Sequence, residues 1–210
     1  MTAAVIVFAK APLAGHAKTR LIPALGAQGA ADLAERLMHL AVAHALEAQL
    51  GPVELCVTPD RTHRAFADAV ARHGVALTEQ GDGDLGERMA RALARLLCSQ
   101  PNALLIGTDA PGLDAAYLRA AAEALRDADA VFGPAADGGY TLVGLKRPAP
   151  DLFLRMRWSH AQVMAHTRER LAQAGLRHVE LPVLHDIDEP ADLVHLAAHG
   201  IRFKPTMEPT

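Results

Sequence analysis

The stretch AAVIVFA at residues 3–9, followed directly by KAPLAGHAKTR at residues 10–20, predicts the fold more strongly than any other part of the chain. A short, almost uninterrupted apolar run is typical of a strand covered on both faces, as in a parallel sheet. In open α/β sheets, ligands bind beyond the carboxyl ends of such strands. The two segments together therefore predict an α/β fold with a ligand site at the first loop.

The same alternation of strand and helix patterns continues along the chain, as in a sheet with helices on both faces. Strands are predicted at residues 53–58, 75–79, 103–107, 130–134, 139–145 and 177–184, and helices at residues 28–49, 61–73, 85–99, 115–128, 160–174 and 190–199. The strand at 139–145 follows its predecessor too closely for a parallel crossover, so we expect it not to run parallel to it. The sequence predicts one three-layer, Rossmann-like domain with a mixed, mostly parallel sheet over residues 1–203, and a frayed tail over residues 204–210.

The composition is that of a globular domain and argues against several classes of function. The chain has 210 residues, of which 50% are hydrophobic and 21% charged, with a net charge of −3 when histidine is neutral. That charge argues against a nucleic-acid partner, which would need a basic face. No apolar run is long enough to span a membrane. Cys56 and Cys98 lack the CxxC spacing, so we expect buried, reduced thiols in a cytoplasmic protein.

The loop at residues 10–20 carries Lys10, Lys18 and Arg20, with Gly15 between them. Gly15 lets the backbone approach a ligand, and cations with exposed N–H groups suit the phosphates of a nucleotide. A phosphate-binding P-loop needs glycine directly before the lysine, and here two residues separate Gly15 from Lys18. The GxGxxG pattern of dinucleotide-binding proteins is also missing. The loop is predicted to bind a nucleotide's phosphates, and the alternative is a solvated basic loop at the sheet edge.

Asp109 follows the predicted strand at residues 103–107, within the sequence TDAP. An aspartate in a turn shaped by glycine and proline can hold a divalent cation. Mg²⁺ or Mn²⁺ takes carboxylate oxygens together with substrate phosphates. The alternative is that Asp109 caps the following helix, as aspartates often do.

Two further acidic turns follow later strands. Asp137 comes after the predicted strand at residues 130–134, where Asp-Gly-Gly is also a strong signal for a hairpin turn. Asp186 and Asp188 follow the last strand and face the same way if the chain is extended there, although Asp188 could also cap a helix that begins at Pro190. Because parallel strands bring their carboxyl ends to one sheet edge, we expect the acidic turns to converge near the basic loop.

Six motifs occur in a fixed order along the chain. They are FAKAPLAGHAKTRL at residues 8–21, GDLGERM at 83–89, TDAP at 108–111, GPAADGGY at 133–140, WSH at 158–160 and DID at 186–188. In this order they resemble the bacterial glycosyltransferase-like proteins of the nucleotide-diphospho-sugar transferase superfamily. The resemblance reaches from the first strand to about Leu193. It implies the GT-A fold, which small guanylyltransferases of cofactor biosynthesis share.

The resemblance also implies which residues bind the nucleotide. Lys18 and Arg20 would contact its phosphates, and residues 80–88 would line the pocket near the base or ribose. For Glu87 and Arg88 the alternative is an ordinary pair of charged residues at the start of a helix. The nucleotide-binding residues implied are Lys10, Gly15, Lys18, Arg20, Asp84 and Arg88.

For metal binding and catalysis, the resemblance implies three aspartates. Asp109 would be the metal aspartate and would act in catalysis, Asp188 would be a second ligand of Mg²⁺ or Mn²⁺, and Asp137 would face the acceptor. This chain departs from the family's pattern at two positions. His160 replaces a small hydroxyl residue, and Glu189 stands where threonine is common. Both departures lie near the acceptor side that the resemblance implies, so the resemblance does not identify the acceptor.

The function predicted is a metal-dependent transferase that uses a nucleotide-sugar or a nucleoside triphosphate, with an unknown small-molecule acceptor. In a nucleotidyl transfer an acceptor phosphate attacks the α-phosphorus, and in a glycosyl transfer Asp137 deprotonates an acceptor hydroxyl. The sequence does not separate the two, nor does it say whether Asp137 or Asp186 acts in catalysis. The alternative from another class is a non-catalytic nucleotide-binding module of the same fold. The failed P-loop spacing disfavours a kinase.

Overall fold

One central sheet organises the computed structural model, which describes residues 2–201. Its strands are β1 (Ala4–Lys10), β2 (Val53–Thr58), β3 (Ala76–Glu79), β4 (Ala103–Ile106), β5 (Ala130–Pro134), β6 (Tyr140–Leu145) and β7 (His178–Glu180). Their order across the sheet is β3-β2-β1-β4-β6-β5-β7. β6 runs antiparallel to both of its neighbours, and the other neighbouring strands are parallel. The prediction that β6 would not run parallel to β5 is confirmed.

Helices connect the parallel strands and cover both faces of the sheet. They are α1 (Ile22–Glu47), α2 (Arg64–His73), α3 (Leu85–Leu97), α4 (Ala115–Ala124) and α5 (Val163–Gln173), with 3₁₀ segments at Thr19–Leu21, Pro150–Leu152 and Pro190–His199. In β1, Val5 and Val7 belong to the core shared with α1, α2 and α4, whereas Ile6 and Phe8 belong to the core shared with α3 and α5. Alternate residues of a strand point to opposite faces, so this pattern defines a helix–sheet–helix sandwich. The predicted three-layer, mostly parallel α/β architecture is confirmed.

The start of the first long helix differs from the sequence prediction. α1 begins at Ile22 rather than at residue 28, because Pro23 suits the first turn of a helix. Gly26 has φ 71° and ψ 165°, a conformation outside the helical region, and kinks α1 there. The apolar periodicity used for the prediction becomes regular only after that kink. The predicted strands at residues 53–58 and 130–134 have the observed bounds, and the predicted helix at residues 190–199 is a 3₁₀ segment with those bounds. The other predicted elements overlap the observed ones and differ from them at one or both ends.

The last strand is also shorter than predicted. β7 covers His178–Glu180 instead of residues 177–184, because Pro182 has no N–H to donate to a neighbouring strand. The chain pairs with the sheet again only at Leu184, through an isolated bridge to Ala135. The prediction for the thiols was half right: Cys56 is buried, whereas Cys98 is exposed at the end of α3.

Residues 202 and 203 of the predicted domain, and the predicted frayed tail at residues 204–210, lie outside the described residues. Among residues 2–201, no helix is both long enough and apolar enough to cross a membrane. β1, β4, β5 and β7 all point the same way, so the loops that follow them meet at one edge of the sheet. That edge holds the basic loop and all three acidic turns.

Candidate functional site

The basic loop after β1 is a series of tight turns that ends in a buried lysine. Gly15 has φ +80° with open space around it, so the backbone conformation is what favours glycine there. The N–H groups of His16 and Ala17 both donate to the carbonyl of Leu13 at 2.9 Å. Lys18 then adopts the left-handed conformation (φ 43°, ψ 50°), which a side chain tolerates only at some cost. The turns carry the Lys18 side chain inward, and it is only 5% exposed.

The ammonium group of Lys18 lies between the acidic turns rather than in solvent. Its Nζ is 2.5 Å from Asp109 Oδ1 and 3.6 Å from Asp188 Oδ1. It also donates a hydrogen bond of 2.5 Å to the carbonyl oxygen of Ile187. For Lys18, the alternative of a solvated basic loop is therefore wrong.

Asp109 and Asp188 are brought together by the apolar residue that precedes Asp188. Ile187 is fully buried in a cluster that includes Leu21 and Leu25, next to the start of α1. Its backbone N–H donates to the carbonyl of Asp109 at 2.9 Å. Burial of Ile187 therefore positions Asp188 beside the end of β4.

Neither of these aspartates caps a helix, so the two capping alternatives are wrong. α4 is capped by Asp114, whose carboxylate accepts the N–H of Tyr117. The 3₁₀ helix that begins at Pro190 has Glu189 as its N-cap, in a reciprocal pair with Asp192. Asp109 and Asp188 are thus available for other interactions.

A first cavity of about 470 Å³ opens at this edge of the sheet. Gln80 comes directly after β3, is buried, and orients Arg88, one of the cations that line this cavity. Its Nε2 donates to the carbonyls of Ala9 and Cys56 at 3.2 and 3.1 Å, and its Oε1 accepts from Arg88 Nη1 at 3.2 Å. The polar residues that line the first cavity are Lys10, His16, Lys18, Thr58, Gln80, Arg88, Thr108, Asp109, Tyr140, Thr141 and Asp188.

Three of the predicted nucleotide-binding residues do not line this cavity. Gly15 shapes the loop, as described above. Asp84 caps α3: its carboxylate accepts the N–H of Glu87 at 2.9 Å, and Glu87 accepts the N–H of Asp84 in return. Arg20 is 67% exposed, with its guanidinium 3.8 Å from Asp188 and from Glu189. For these residues a direct role in binding stays a prediction.

A second cavity of about 290 Å³ adjoins the first. It lies beyond β5 and β6, between the Asp137 turn and the loop at residues 158–163. Asp137 forms the tight turn that the Asp-Gly-Gly sequence predicts, since its carboxylate accepts the N–H of Gly139 at 2.8 Å. The residues that line only the second cavity include Asp137, Trp158, Ser159, His160, Val163 and Asp186, whereas Leu85, Met89, Gly107, Asp109, Tyr140 and Thr141 line both.

Negative charge accumulates where the two cavities meet. Burial raises the pKa of Asp186 to about 6, and the charge of Asp137 adds to the rise. Burial and the charge of Asp109 raise the pKa of Asp188, although Lys18 and Arg20 oppose that rise. Bringing another cation to this point would therefore be favourable.

The oxygen atoms around Lys18 fit a hard divalent cation. Asp109 and Asp188 contribute carboxylates and Ile187 a carbonyl, the donor types that Mg²⁺ and Mn²⁺ prefer. Within residues 2–201 no group of three or more His, Cys, Asp or Glu side chains could hold a metal alone. A metal here would rely on two carboxylates and on oxygens of the substrate, as Mg²⁺ commonly does.

Sequence reasoning assigned no individual role to Gln80 or Tyr140. Gln80 comes directly after β3, and Tyr140 comes directly after the Asp-Gly-Gly turn. A polar residue just beyond the carboxyl end of a parallel strand was the available signal for Gln80. Nothing in the sequence separates Tyr140 from an ordinary core aromatic.

The sheet order and the likeness to a solved structure define the class: an α/β protein with the nucleotide-diphospho-sugar transferase (GT-A-like) fold. The sequence matches the family described as "Uncharacterized protein conserved in bacteria (DUF2064)" over residues 40–160, and the chain belongs to that family. A comparison with curated proteins finds no match. The resemblance inferred from the six motifs is confirmed.

Solved structures with this fold come from several bacteria. A protein of Desulfovibrio desulfuricans G20, provisionally described as a nucleotide-diphospho-sugar transferase, has a TM-score of 0.81 and 28% identity, over 90% of this chain and 84% of its own. CMP:2-keto-3-deoxy-manno-octonic acid synthetase complexed with CTP has a TM-score of 0.62 and 14% identity, over 94% and 98%. Rv0371c of Mycobacterium tuberculosis H37Rv in complex with manganese has a TM-score of 0.58 and 17% identity, over 93% and 98%. The likeness to the last two structures shows only that this chain shares their fold.

Proposed function

We propose that this protein is a metal-dependent transferase that binds a nucleotide-sugar or a nucleoside triphosphate in the first cavity. The observation that carries the proposal is the meeting of cations and carboxylates at one point. Lys10, Lys18 and Arg88 line the same cavity as Asp109 and Asp188, beyond the carboxyl ends of parallel strands. Its volume of about 470 Å³ is in the range of small-molecule sites. The provisional description of the Desulfovibrio protein and the CTP complex of a synthetase with this fold add support.

In this proposal, different residues of the chain bind the phosphates of the nucleotide and the metal ion. Lys10 and Arg88 attract the phosphates, and the buried amide of Gln80 holds Arg88 in place. Asp109 and Asp188 would hold Mg²⁺ or Mn²⁺, which when bound neutralises charge on the departing phosphates. Lys18 then gives up at least one of its ion pairs, and its charge becomes available to the nucleotide. The manganese complex of Rv0371c is consistent with a divalent metal in this fold.

Asp137 is proposed to face the acceptor, since it lines the second cavity together with Asp109. In a glycosyl transfer it would accept the proton of the acceptor hydroxyl, and a nucleoside diphosphate would leave. In a nucleotidyl transfer, an acceptor phosphate would displace pyrophosphate. A turnover screen of nucleotide-sugars and triphosphates separates the two by the product, diphosphate or pyrophosphate. Nucleotide binding without turnover would favour the non-catalytic module. A cytoplasmic location stays part of the proposal.

The direct test is isothermal titration calorimetry of nucleoside diphosphates with and without Mn²⁺. We expect Mn²⁺ to tighten binding to the wild type by about ten-fold or more, and Asp109→Asn to abolish that gain. Asp127→Asn is the matched control, because Asp127 is exposed and follows α4, away from the cavities. If Asp109→Asn keeps the full effect of Mn²⁺, the proposed metal role is wrong.

A further inference from the structure

Three residues that line the second cavity each carry a buried polar atom with no hydrogen-bond partner. The atoms are Tyr140 Oη, Trp158 Nε1 and His160 Nε2. Within residues 2–201 these are the only such side-chain atoms, and all three residues line the second cavity. Buried polar groups are nearly always paired, so three unpaired ones in one wall indicate that something else supplies the partners.

At least two of these atoms offer a hydrogen rather than accept one. Trp158 Nε1 can only donate. His160 Nδ1 accepts the backbone N–H of Gln162 at 3.1 Å, so in the neutral ring the proton is on Nε2. Tyr140 Oη can both donate and accept. The missing partner must therefore present acceptor atoms, which a bare ammonium ion lacks.

Packing fixes the aromatic part of this wall. The rings of Tyr140 and Trp158 meet edge to face, with centroids 6.3 Å apart. Trp158 also lies against Gly86 at the start of α3, where an added Cβ would come within 2.9 Å of the indole Cζ2. Ser159, next to Trp158, has a left-handed φ of 62°, a conformation that is kept at some cost in non-glycine residues and is frequent at binding sites.

The charge of the second cavity is opposite to that of the first. Asp109, Asp137 and Asp186 line it, and no lysine or arginine does. The cations that suit phosphates, such as Lys10 and Arg88, line only the first cavity. A phosphorylated acceptor would meet the charges of Asp137 and Asp186 with no lysine or arginine beside them, which disfavours binding.

We propose that the second cavity binds a neutral, polyhydroxylated acceptor, a sugar or polyol, whose hydroxyl oxygens accept from Trp158 and His160 and whose hydroxyl hydrogens are donated to Asp137 and Asp186. A hydroxyl group meets both requirements, because it accepts from the wall and donates to carboxylates. This inference rests on the proposed function, since it names the class of acceptor for that same site. It favours a hydroxyl over a phosphate as the group that receives the transfer.

Tryptophan fluorescence reports on this cavity without an added label, because Trp158 is the only tryptophan of the chain. The full chain is saturated with Mg²⁺ and the nucleoside diphosphate that binds best in calorimetry, and tryptophan emission is followed during titration. The probes are glucose, mannose, glycerol and myo-inositol, each paired with its monophosphate ester, and methylammonium as a small cation without an acceptor atom. We expect at least one neutral compound to shift the tryptophan emission saturably. Its phosphate ester should bind more weakly by about ten-fold or more.

Three outcomes would overturn the inference while the nucleotide still binds, which leaves the proposed function standing. They are phosphate esters that bind as tightly as their parent compounds, no response to any neutral compound, and a response to methylammonium alone. Failure of every nucleotide to bind would instead remove the proposed function. In Asp137→Asn, we expect the preference for the neutral compound over its ester to shrink several-fold, because one repelling charge is lost.

The two tyrosines of the chain provide a matched pair of variants. Tyr140→Phe removes an unpaired hydroxyl, so we expect a higher melting temperature and polyol binding about three-fold weaker or worse. Tyr117→Phe removes a hydroxyl that donates to the carbonyl of Pro182 at 2.8 Å, so it should lower the melting temperature and leave polyol binding unchanged. Equal polyol affinity in wild type and Tyr140→Phe would contradict a contact between that hydroxyl and the acceptor.

Discussion

Lys18 combines a strained backbone with a side chain surrounded by oxygen atoms. Its left-handed conformation turns the ammonium group away from solvent and into contact with Asp109, Asp188 and the carbonyl of Ile187. These are the groups that we propose for a divalent cation. Lys18 and a metal ion therefore compete for the same oxygens, and nucleotide phosphates offer the lysine another partner.

Removing this competitor should strengthen metal binding in the absence of nucleotide. We expect Lys18→Met to bind Mn²⁺ about ten-fold more tightly than the wild type, because two carboxylates lose their resident cation. Electron paramagnetic resonance of free Mn²⁺ measures the affinity. Lys18→Arg keeps a competing charge and should resemble the wild type. Unchanged or weaker Mn²⁺ binding in Lys18→Met would show that Lys18 does not occupy the metal's place.

A second ion pair joins β2 to α3, and neither of its residues lines a cavity. Glu54 on β2 is 7% exposed, and its Oε2 accepts from Arg95 Nη1 at 2.9 Å. Arg95→Met leaves a buried carboxylate unpaired and should lower the free energy of unfolding by about 2–3 kcal/mol, measured in urea. The double variant Glu54→Gln with Arg95→Met should recover most of that loss. If the double variant recovers none of the loss, the packing of the Arg95 side-chain stem, and not its charge, stabilises the folded state.

At the scale of elements, α5 is tied to the edge strand β7. Arg168 donates to both carboxylate oxygens of Glu180, at 2.7 and 2.8 Å, and His178 lies 3.5 Å from the same carboxylate. β7 forms a three-residue edge strand, so few backbone hydrogen bonds hold it. A bidentate pair with fixed geometry therefore matters more here than it would in the sheet centre.

The contribution of this pair should depend on pH in a defined direction. The hydrogen bond from Arg168 lowers the pKa of Glu180 below its ordinary value of 4.5, so the folded state favours the carboxylate. The stabilisation is present above pH 4.5 and is lost as the pH falls through the lowered pKa. Arg168→Ala should cost about 0.5–1 kcal/mol at pH 7, because the pair is partly exposed. The difference in the free energy of unfolding between variant and wild type, measured in urea, should shrink in acid. A difference that does not change with pH would contradict the dependence on the Glu180 carboxylate.

The turn that carries Asp137 packs closely against the loop of the second cavity. A Cβ at Gly138 would lie 2.0 Å from the carbonyl oxygen of Ala161, and φ is +89°. We expect Gly138→Ala to cost about 3 kcal/mol or more and to shift the emission of Trp158, as the loop is displaced. Gly175→Ala is the control, since its φ is +61° but the space around it is open. That change should cost about 1–2 kcal/mol without altering the emission. Similar effects of both changes would mean that the contact with Ala161 is unimportant.

At the scale of the whole molecule, the direction of the strands creates the site. β4, β5 and β7 run parallel to β1, so turns separated by up to about 170 residues meet at one edge, as Lys18 and Ile187 do. Ligands that bridge these turns stabilise the folded state as a whole. They add about 2.7 kcal/mol at a concentration one hundred times Kd.

Thermal unfolding with nucleotides checks this property. Nucleoside diphosphate with Mg²⁺ at about one hundred times Kd should raise the melting temperature by roughly 5–10 °C for a domain of this size. The same nucleoside without phosphates, at equal concentration, should raise it much less, because Lys10 and Arg88 would have no charged partner. Equal shifts of the melting temperature with both ligands would contradict binding of the phosphates by Lys10 and Arg88.

The sequence by itself determined the α/β class, most strands and helices, and the existence of a basic loop and three acidic turns. Local signals suffice for these: apolar runs, periodicity and turn residues depend on neighbours in the chain. Tertiary structure decided which polar residues meet. Burial of Ile187 sets Asp188 beside Asp109, and the backbone of Lys18 turns its charge onto them rather than into solvent. The unpaired atoms of Tyr140 and Trp158 likewise emerge only from packing, because a hydrogen bond that is missing cannot be recognised until every neighbour is in place.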